Sequence, residues 1–293
     1  MIRAVFRLTD NTDPEERLEE AALWKAMYDH YGEDGIVAIR DLSLAPDGLP
    51  VFGRTPKFPA PSANPVSEKL EYWTDPAFLA ACRREFHCVP FEEAEAVVKG
   101  LQARGKGAFI KSTSLKHFTA IVDPDGDFRE KVGVMAFSFI DGGPPLMVQE
   151  LAKIEYEHRY FAIDGRIVTS SPNMTSLTPI DYPLGAGTVY RTPQTSEREN
   201  RPDIVHALDR LAAHVASSMA TPHACIDVAM INGGPGIVEL NPMQIGQTGL
   251  FACDVRALAR ASESLVASYV PEPAFVFGQS PADDEEDFND FAP

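Results

Sequence analysis

The sequence predicts an α+β protein with largely antiparallel sheets and a small α/β module at its N-terminal end. Three observations lead there. Residues 158–172 and 224–242 have the form of two hairpins, closed by "DG" and by "NGGPG". Paired strand-like runs, rather than single ones, alternate with amphipathic helical segments, which favours antiparallel pairing. The first ninety or so residues instead run strand, helix, strand. At 293 residues the chain can bury a substantial core in one large domain or two smaller ones.

In order, "IRAVFRL" predicts a first strand and "DPEERLEEAALWKAMYDHYG" a helix, with Asp13 as N-cap, Pro14 in the first turn and Gly32 at the C-cap. "GIVAIRDL" is a second strand. The stretch 45–65, rich in proline and glycine, reads as loop throughout. "DPAFLAACRREF" is a short helix, and "HCVPF" an edge strand or linker. "PFEEAEAVVKGLQARGKG" predicts a helix, followed by strands at "AFIKS", "FTAIVD", "GVMAFSF" and "LMVQELA". The first hairpin, the helix "RPDIVHALDRLAAHVASSM", the second hairpin and the helix "LFACDVRALARASESLVASY" complete the body. The predicted boundaries are a module at 1–92, a main domain at 93–275 with lobes of about 93–149 and 150–275, and a solvated acidic tail at 276–293.

The net charge is −17, and "PADDEEDFNDFAP" at 281–293 holds six of the acids and no base. An acidic surface argues against broad nucleic-acid binding, although a few lysines can still focus a field on a small anion. No apolar run is long enough to span a bilayer. "MIRAVFRLTD" carries charges inside its first eight residues, which reads against a secretory signal. Four scattered cysteines show no metal spacing and no disulfide framework. The expectation is a reduced, cytoplasmic protein without membrane partners.

Several motifs fail on inspection. "DPDGD" at 123–127 begins like a calcium loop, but Phe128 stands where glycine belongs and Val134 where the last carboxylate belongs, so it reads as a turn. "GKGAF" lacks the hydroxyl residue of a phosphate loop, and "GGPG" opens no helix. No pair of histidines has metal spacing.

Three stretches remain. In "VELNP", Glu239 and Asn241 are two apart and share one strand face. Asp227, set between apolar residues in "CIDVAM", can lie beside them if the hairpin closes at "NGGPG". A charge in such a place is costly unless paired or bound to metal. Three hard oxygen donors suit Mg²⁺; the alternative is a polar solvent-facing strand. In "FIKSTSLKHFTA", Lys111 and Lys116 can reach phosphates, or can be surface lysines. In "MVQELAKIEYEHRYF", the strand breaks at Glu150, Leu151 and Ala152, which leaves main-chain groups that an adenine edge can use. Glu157 and Arg159 share a face beyond the break, either as ligand contacts or as an ion pair with each other.

Taken in order, the lysines, the break, "EHR", "IDVA" and "VELNP" resemble the ATP-grasp superfamily over roughly residues 95–260. The match is to the compact phage and bacterial clade marked by an arginine and two lysines. There is a more distant similarity to the eukaryotic cell-division-cycle ATP-grasp protein that assists initiation-factor assembly. The resemblance implies two lobes that sandwich ATP. It implies that Lys111 and Lys116 contact phosphates, Glu150 and Ala152 hold adenine through their main chains, and Leu151 packs there. Glu157 would meet the ribose or the metal region. Arg159 would face the γ-phosphate and the acyl group, with Lys116 also catalytic, and Asp227, Glu239 and Asn241 would bind Mg²⁺. Two departures stand out: "STSLKHFTA" has no glycine where the family has a flexible glycine-rich loop, and residues 1–92 match no substrate domain. The activity implied is ligation of a small-molecule or peptide carboxylate to an amine. The second substrate is expected to meet residues 1–92 near Arg40, Arg54 and Lys57, the alternative for each being plain surface charge. The alternative is a nucleotide-binding assembly factor that serves a protein partner and ligates nothing.

Overall fold

The computed structural model describes residues 1–10, 12–46, 48–53, 71–113, 119–133, 145–182, 188–191, 195, 197–241, 243 and 249–269. Lys116, Arg54, Lys57, the run 134–144 that holds most of the "GVMAFSF" strand, and the acidic tail lie outside these residues.

The N-terminal module is a three-stranded parallel sheet, β1 (Ala4–Arg7), β2 (Ile36–Ile39) and β3 (Val51–Gly53), in the order β2-β1-β3. Helix α1 (Pro14–Tyr31) crosses from β1 to β2. Its start is set as the sequence predicts: the Asp13 carboxylate accepts from the backbone N–H groups of Glu15 and Glu16, and Pro14 loses no helical bond there. Strand β3 corrects the reading of 45–65 as loop. It is only three residues long among prolines and glycines, so it shows no period, yet Val51 and Phe52 are buried. Gly53 has φ +89, and an added Cβ would meet the Arg7 carbonyl oxygen at 2.5 Å, so only glycine lets the strands lie this close.

A short 3₁₀ turn (Tyr72–Thr74) leads into α2 (Pro76–Ala81), which Asp75 caps. The helix ends earlier than the sequence suggests, and Arg83 turns the chain with φ 55. Strand β4 (Phe86–Val89) then joins β5 (Ala108–Ser112), β6 (Thr119–Val122) and β7 (Leu146–Glu150) in an antiparallel sheet of order β4-β7-β5-β6. This pairing draws residues 86–89 out of the N-terminal module and into the next sheet. Helices α3 (Phe91–Gln102) and α4 (Phe128–Val132) pack on one face through Val98, Leu101, Phe128 and Val132 against Ile110, Leu146 and Val148. The "DPDGD" segment is a turn, as predicted, and its last residue, Asp127, caps α4, which the sequence does not announce. The opposite face carries Lys111, Met147 and Gln149.

The largest sheet joins β8 (Ile154–Ile163), β9 (Arg166–Pro172), β12 (Ala224–Ile231) and β13 (Gly234–Asn241) in the order β13-β12-β8-β9, all antiparallel. Between β9 and β12 lie a small hairpin, β10 (Val189–Tyr190) with β11 (Arg198–Glu199), and helix α5 (Pro202–Ser218). Both predicted hairpins form. Asp164-Gly165 and Asn232-Gly233 all have positive φ, as two-residue hairpin turns require. The second loop is thus narrower than "NGGPG", because β13 already starts at Gly234.

One face of this sheet buries Tyr160, Ile226, Val228 and Leu240 against Leu208, Ala212 and Val215 of α5. On the other face, Phe161, Ile163 and Cys225 form a core with Phe6, Leu23 and Met27 of the N-terminal module. Leu258 and Leu265 of the last helix, α6 (Val255–Ser268), complete that core. The helix begins at its Asp254 cap, later than predicted. The remainder of this face is polar and looks toward β5. Among the described residues no helix is long and apolar enough to cross a membrane.

Candidate functional site

The polar half of the face is a single row across four strands. Glu239 of β13 is in register with Asp227 of β12, Asp227 with Arg159 of β8, and Arg159 with Ser171 of β9. Glu157 stands two residues from Arg159 on β8, and Asn241 two from Glu239 on β13. The structure therefore brings Asp227, Glu239, Asn241, Glu157 and Arg159 together. Asn241 Nδ2 lies 2.9 Å from Glu239 Oε1 and 3.2 Å from Asp227 Oδ2.

Arg159 does not hydrogen-bond to Glu157. Its Nε and Nη2 donate to the two oxygens of Asp227 at 2.8 and 2.7 Å, a bidentate pair. Asp227 is wholly buried and Arg159 8% exposed. The third guanidinium nitrogen donates to the Gly249 carbonyl at 3.2 Å, and the Phe251 ring lies 5.1 Å from the guanidinium carbon. The Gly249–Phe251 turn is held in its turn by Glu19 of α1. That nearly buried carboxylate accepts from the backbone N–H groups of Leu250 (3.0 Å) and Phe251 (2.7 Å).

Lys111 reaches across from β5. Its Nζ donates to Glu239 Oε2 at 2.6 Å and lies 5.7 Å from the centre of the Tyr72 ring. Beside it, Arg84 donates to the Val238 carbonyl at 2.6 Å. The site is thus where the two four-stranded sheets meet.

The electrostatics follow from this packing. Burial disfavours the Lys111 ammonium, but Glu239 and Tyr72 outweigh it and raise its pKa. Burial likewise disfavours the Glu239 carboxylate, but Lys111 and the Asn241 amide hold its pKa down, near 2. Asp227 is pushed up by burial against the pull of Arg159. Glu157 is pushed up to about 8 by burial and then by repulsion from Asp227 and Glu239, although Asn173 Nδ2 donates to it at 2.6 Å.

Asp227, Glu239 and Glu157 offer carboxyl oxygens here, and Asn241 can turn an amide oxygen toward them. Such a donor set fits a hard divalent cation. Among the described residues, however, no three Asp, Glu, His or Cys side chains already stand posed around an ion. Arg159 occupies both oxygens of Asp227.

The break after β7 lies at the edge of this region. The N–H of Glu150 is taken by the Glu85 carbonyl (2.8 Å) and that of Leu151 by the Gly107 carbonyl (2.9 Å), while Lys153 is tied to Asn232. Between them, the main chain of Ala152 makes no hydrogen bond among the described residues. The amide of Gln149, on the face that carries Lys111, is 1% exposed, and its Oε1 has no partner among the described residues.

Sequence reasoning passed over Tyr72, Arg84, Asn173, Phe251 and Glu19. Nothing in their local sequence marks them, because each meets the site through the register or packing of a distant element. Of the other predicted residues, Arg40 is exposed and ion-paired with Asp10.

No protein-family profile and no curated protein matches the chain. Solved structures do. The D-cycloserine synthetase DcsG is 15% identical, with 89% of this chain and 100% of that chain covered and a TM-score of 0.51. A RimK domain protein ATP-grasp from Sphaerobacter thermophilus is 14% identical over 90% and 97%, with a TM-score of 0.49. A D-alanine–D-alanine ligase from Bacillus anthracis, complexed with ATP, is 13% identical over 91% and 97%, also at 0.49. At these identities the likeness is one of fold alone: the chain shares the ATP-grasp fold.

Proposed function

We propose that the protein is an ATP- and Mg²⁺-dependent ligase that joins a carboxylate to an amine through an acyl phosphate. The observation that carries this reading is the Glu239–Asp227–Arg159 row facing Lys111, which gathers phosphate-binding cations and hard oxygen donors at one seam between two lobes. In this reading Glu239, Asn241 and Asp227 hold Mg²⁺, which offsets charge on the phosphates. Ala152 and Glu150 receive the adenine edge, with Leu151 packed beside it. Glu157 meets the ribose or the metal region.

Lys111 and Lys116 bind phosphate oxygens, and Lys116 and Arg159 stabilise the charge of the transferring phosphoryl group. A carboxylate oxygen attacks the γ-phosphorus and ADP leaves. The amine then attacks the acyl carbon, loses a proton and expels phosphate. The N-terminal module, which reaches Arg159 through Glu19, is the natural place for the acceptor.

The test is substrate-dependent ADP release from an amino-acid and peptide pool, followed by transfer of an ¹⁸O label from the carboxylate into phosphate. Nucleotide binding without any such release would favour the assembly-factor alternative. Release of AMP and pyrophosphate would replace the acyl phosphate with an adenylate.

A further inference from the structure

Arg159 is held from two sides by different parts of the chain. Its Nε and Nη2 donate to Asp227 on the neighbouring strand. Its Nη1 donates to the Gly249 carbonyl, and the Phe251 ring lies against the same guanidinium. A guanidinium carries five N–H donors. Three are engaged in this way, which leaves one on each terminal nitrogen, among the described residues, to meet a ligand. Asp227 grips one edge of the plane, and a grip on one edge leaves the plane free to hinge about it. The turn bears on the opposite corner and fixes the tilt.

That turn does not hold its own shape. Phe251 has φ 48, a left-handed conformation that a bulky L-residue adopts only where its surroundings impose it. The contacts are close: an added Cβ on Gly249 would meet the Phe251 ring at 3.1 Å and Arg159 Nη1 at 3.5 Å. On the sheet side, the hydroxyls of Ser171 and Thr169 accept from the N–H groups of Ala252 and Asp254 at 2.8 and 2.9 Å. On the other side, one oxygen of Glu19 on α1 accepts from both Leu250 and Phe251. Glu19 is 8% exposed, and a carboxylate buried so far is costly unless its bonds offset the loss of water. Leu250 is sealed in the core that α1 shares with the sheet.

We infer that Glu19 is a positioning residue for phosphoryl transfer: by fixing the Gly249–Phe251 turn it sets the tilt of Arg159, so that the two remaining N–H groups face the transferring group. Glu19 acts through the turn and touches neither nucleotide nor acceptor. The inference rests on the role given to Arg159 above. It adds that the N-terminal module controls that role, because the competence of Arg159 depends on how α1 is docked.

The experiment has two arms, and the first needs no substrate. In the full chain labelled with ¹⁵N-arginine, Glu19→Ala should shift or broaden the Nη1 proton signals of Arg159, while its Nε–H signal, held by Asp227, stays in place. Glu19→Gln keeps an acceptor oxygen and should leave both signals near their wild-type positions. The second arm measures ADP release from ATP and Mg²⁺ with the amino-acid and peptide pool. Glu19→Ala should lower kcat on the order of tenfold or more. KM for ATP should change by less than about twofold. Glu19→Gln should recover most of the rate. Gly249→Ala presses on the same turn from the opposite side, and should give the same split if Glu19→Ala fails to fold. Arg159→Lys keeps Asp227 paired but offers the turn no guanidinium. Adding Glu19→Ala to it should cost little further rate, since both losses pass through one group.

Losses that multiply in the double variant would overturn the positioning role. So would a change confined to KM for the acceptor, or lost rate with unmoved Nη1 signals. If wild type releases no ADP from any acceptor, it is the ligase reading that fails, and this role falls with it.

Discussion

Replacing Arg159 by methionine should destabilise the protein by an amount that depends on pH in a defined way. Asp227 is fully buried and both its oxygens are taken by Arg159. Methionine keeps much of the volume over Phe251 but removes the charge. The buried carboxylate then takes up a proton rather than remain ionised. In the unfolded chain an aspartate titrates near 3.9, so holding it neutral costs about 1.4 kcal/mol for each pH unit above that. The penalty against wild type is at most about 4 kcal/mol at pH 7 and about 1.5 kcal/mol at pH 5, since burial already raises Asp227 somewhat beside Arg159. The sign is fixed, because the variant's folded state holds a proton that its unfolded state has lost, and its deficit against wild type must shrink as pH falls. If the chain melts as one unit, about 4 kcal/mol corresponds to a drop of about 6 °C at its length of 293 residues. Urea unfolding of both proteins at the two pH values measures the difference directly. Equal penalties at pH 5 and pH 7, or a loss under about 1 kcal/mol at pH 7, would refute the argument that Arg159 keeps a buried Asp227 charged.

Two further outcomes follow from the packing. His158 is buried beneath the site with Nε2 unpartnered among the described residues, and burial lowers its pKa to about 4, against a bond to the Thr188 backbone. The folded state therefore holds fewer protons than the unfolded one between about pH 6.5 and 4, and stability contributed above that window falls by up to about 3 kcal/mol across it. His158→Gln should flatten that decline, and parallel stability curves would show that the ring titrates freely. Glu19→Ala leaves the N–H groups of Leu250 and Phe251 without their acceptor and should cost about 2 kcal/mol or more. Glu19→Gln keeps an acceptor oxygen and should lose less than half as much in thermal melts, whereas equal losses would mean that the charge, not the acceptor, matters.

The long hairpins and helices were legible because their signals are local. Asp13 and Pro14 start α1 by themselves, and Asn232-Gly233 closes β12 on β13 without help. The grouping of Asp227 with Glu239 and Asn241 was legible for the same reason, since one hairpin holds all three. Arg159 was visible as a residue, but its partner was not. Glu157 is near in sequence, whereas Asp227 is reached only through the register of β8 on β12. Glu19, Tyr72 and Arg84 join the region across element boundaries, and no periodicity carries such information. Strand β3 was missed because three residues are too few to show a period. Helix α4 and the β10–β11 hairpin were missed for the same shortness.

The packing of α1 against α6 has a bearing on how the chain is made. Leu23 and Met27 of the first helix share a core with Leu258 and Leu265 of the last, and Arg3 pairs with Glu263. Roughly 240 residues separate the starts of the two helices, so at about 5–20 residues per second a ribosome takes about 12–50 s to supply the second after the first. During that interval the apolar side of α1 lacks its final cover, and the turn that Glu19 secures has not been synthesised. Chains that stall or end before α6 is made would leave that apolar side of α1 exposed, the condition under which newly made chains aggregate.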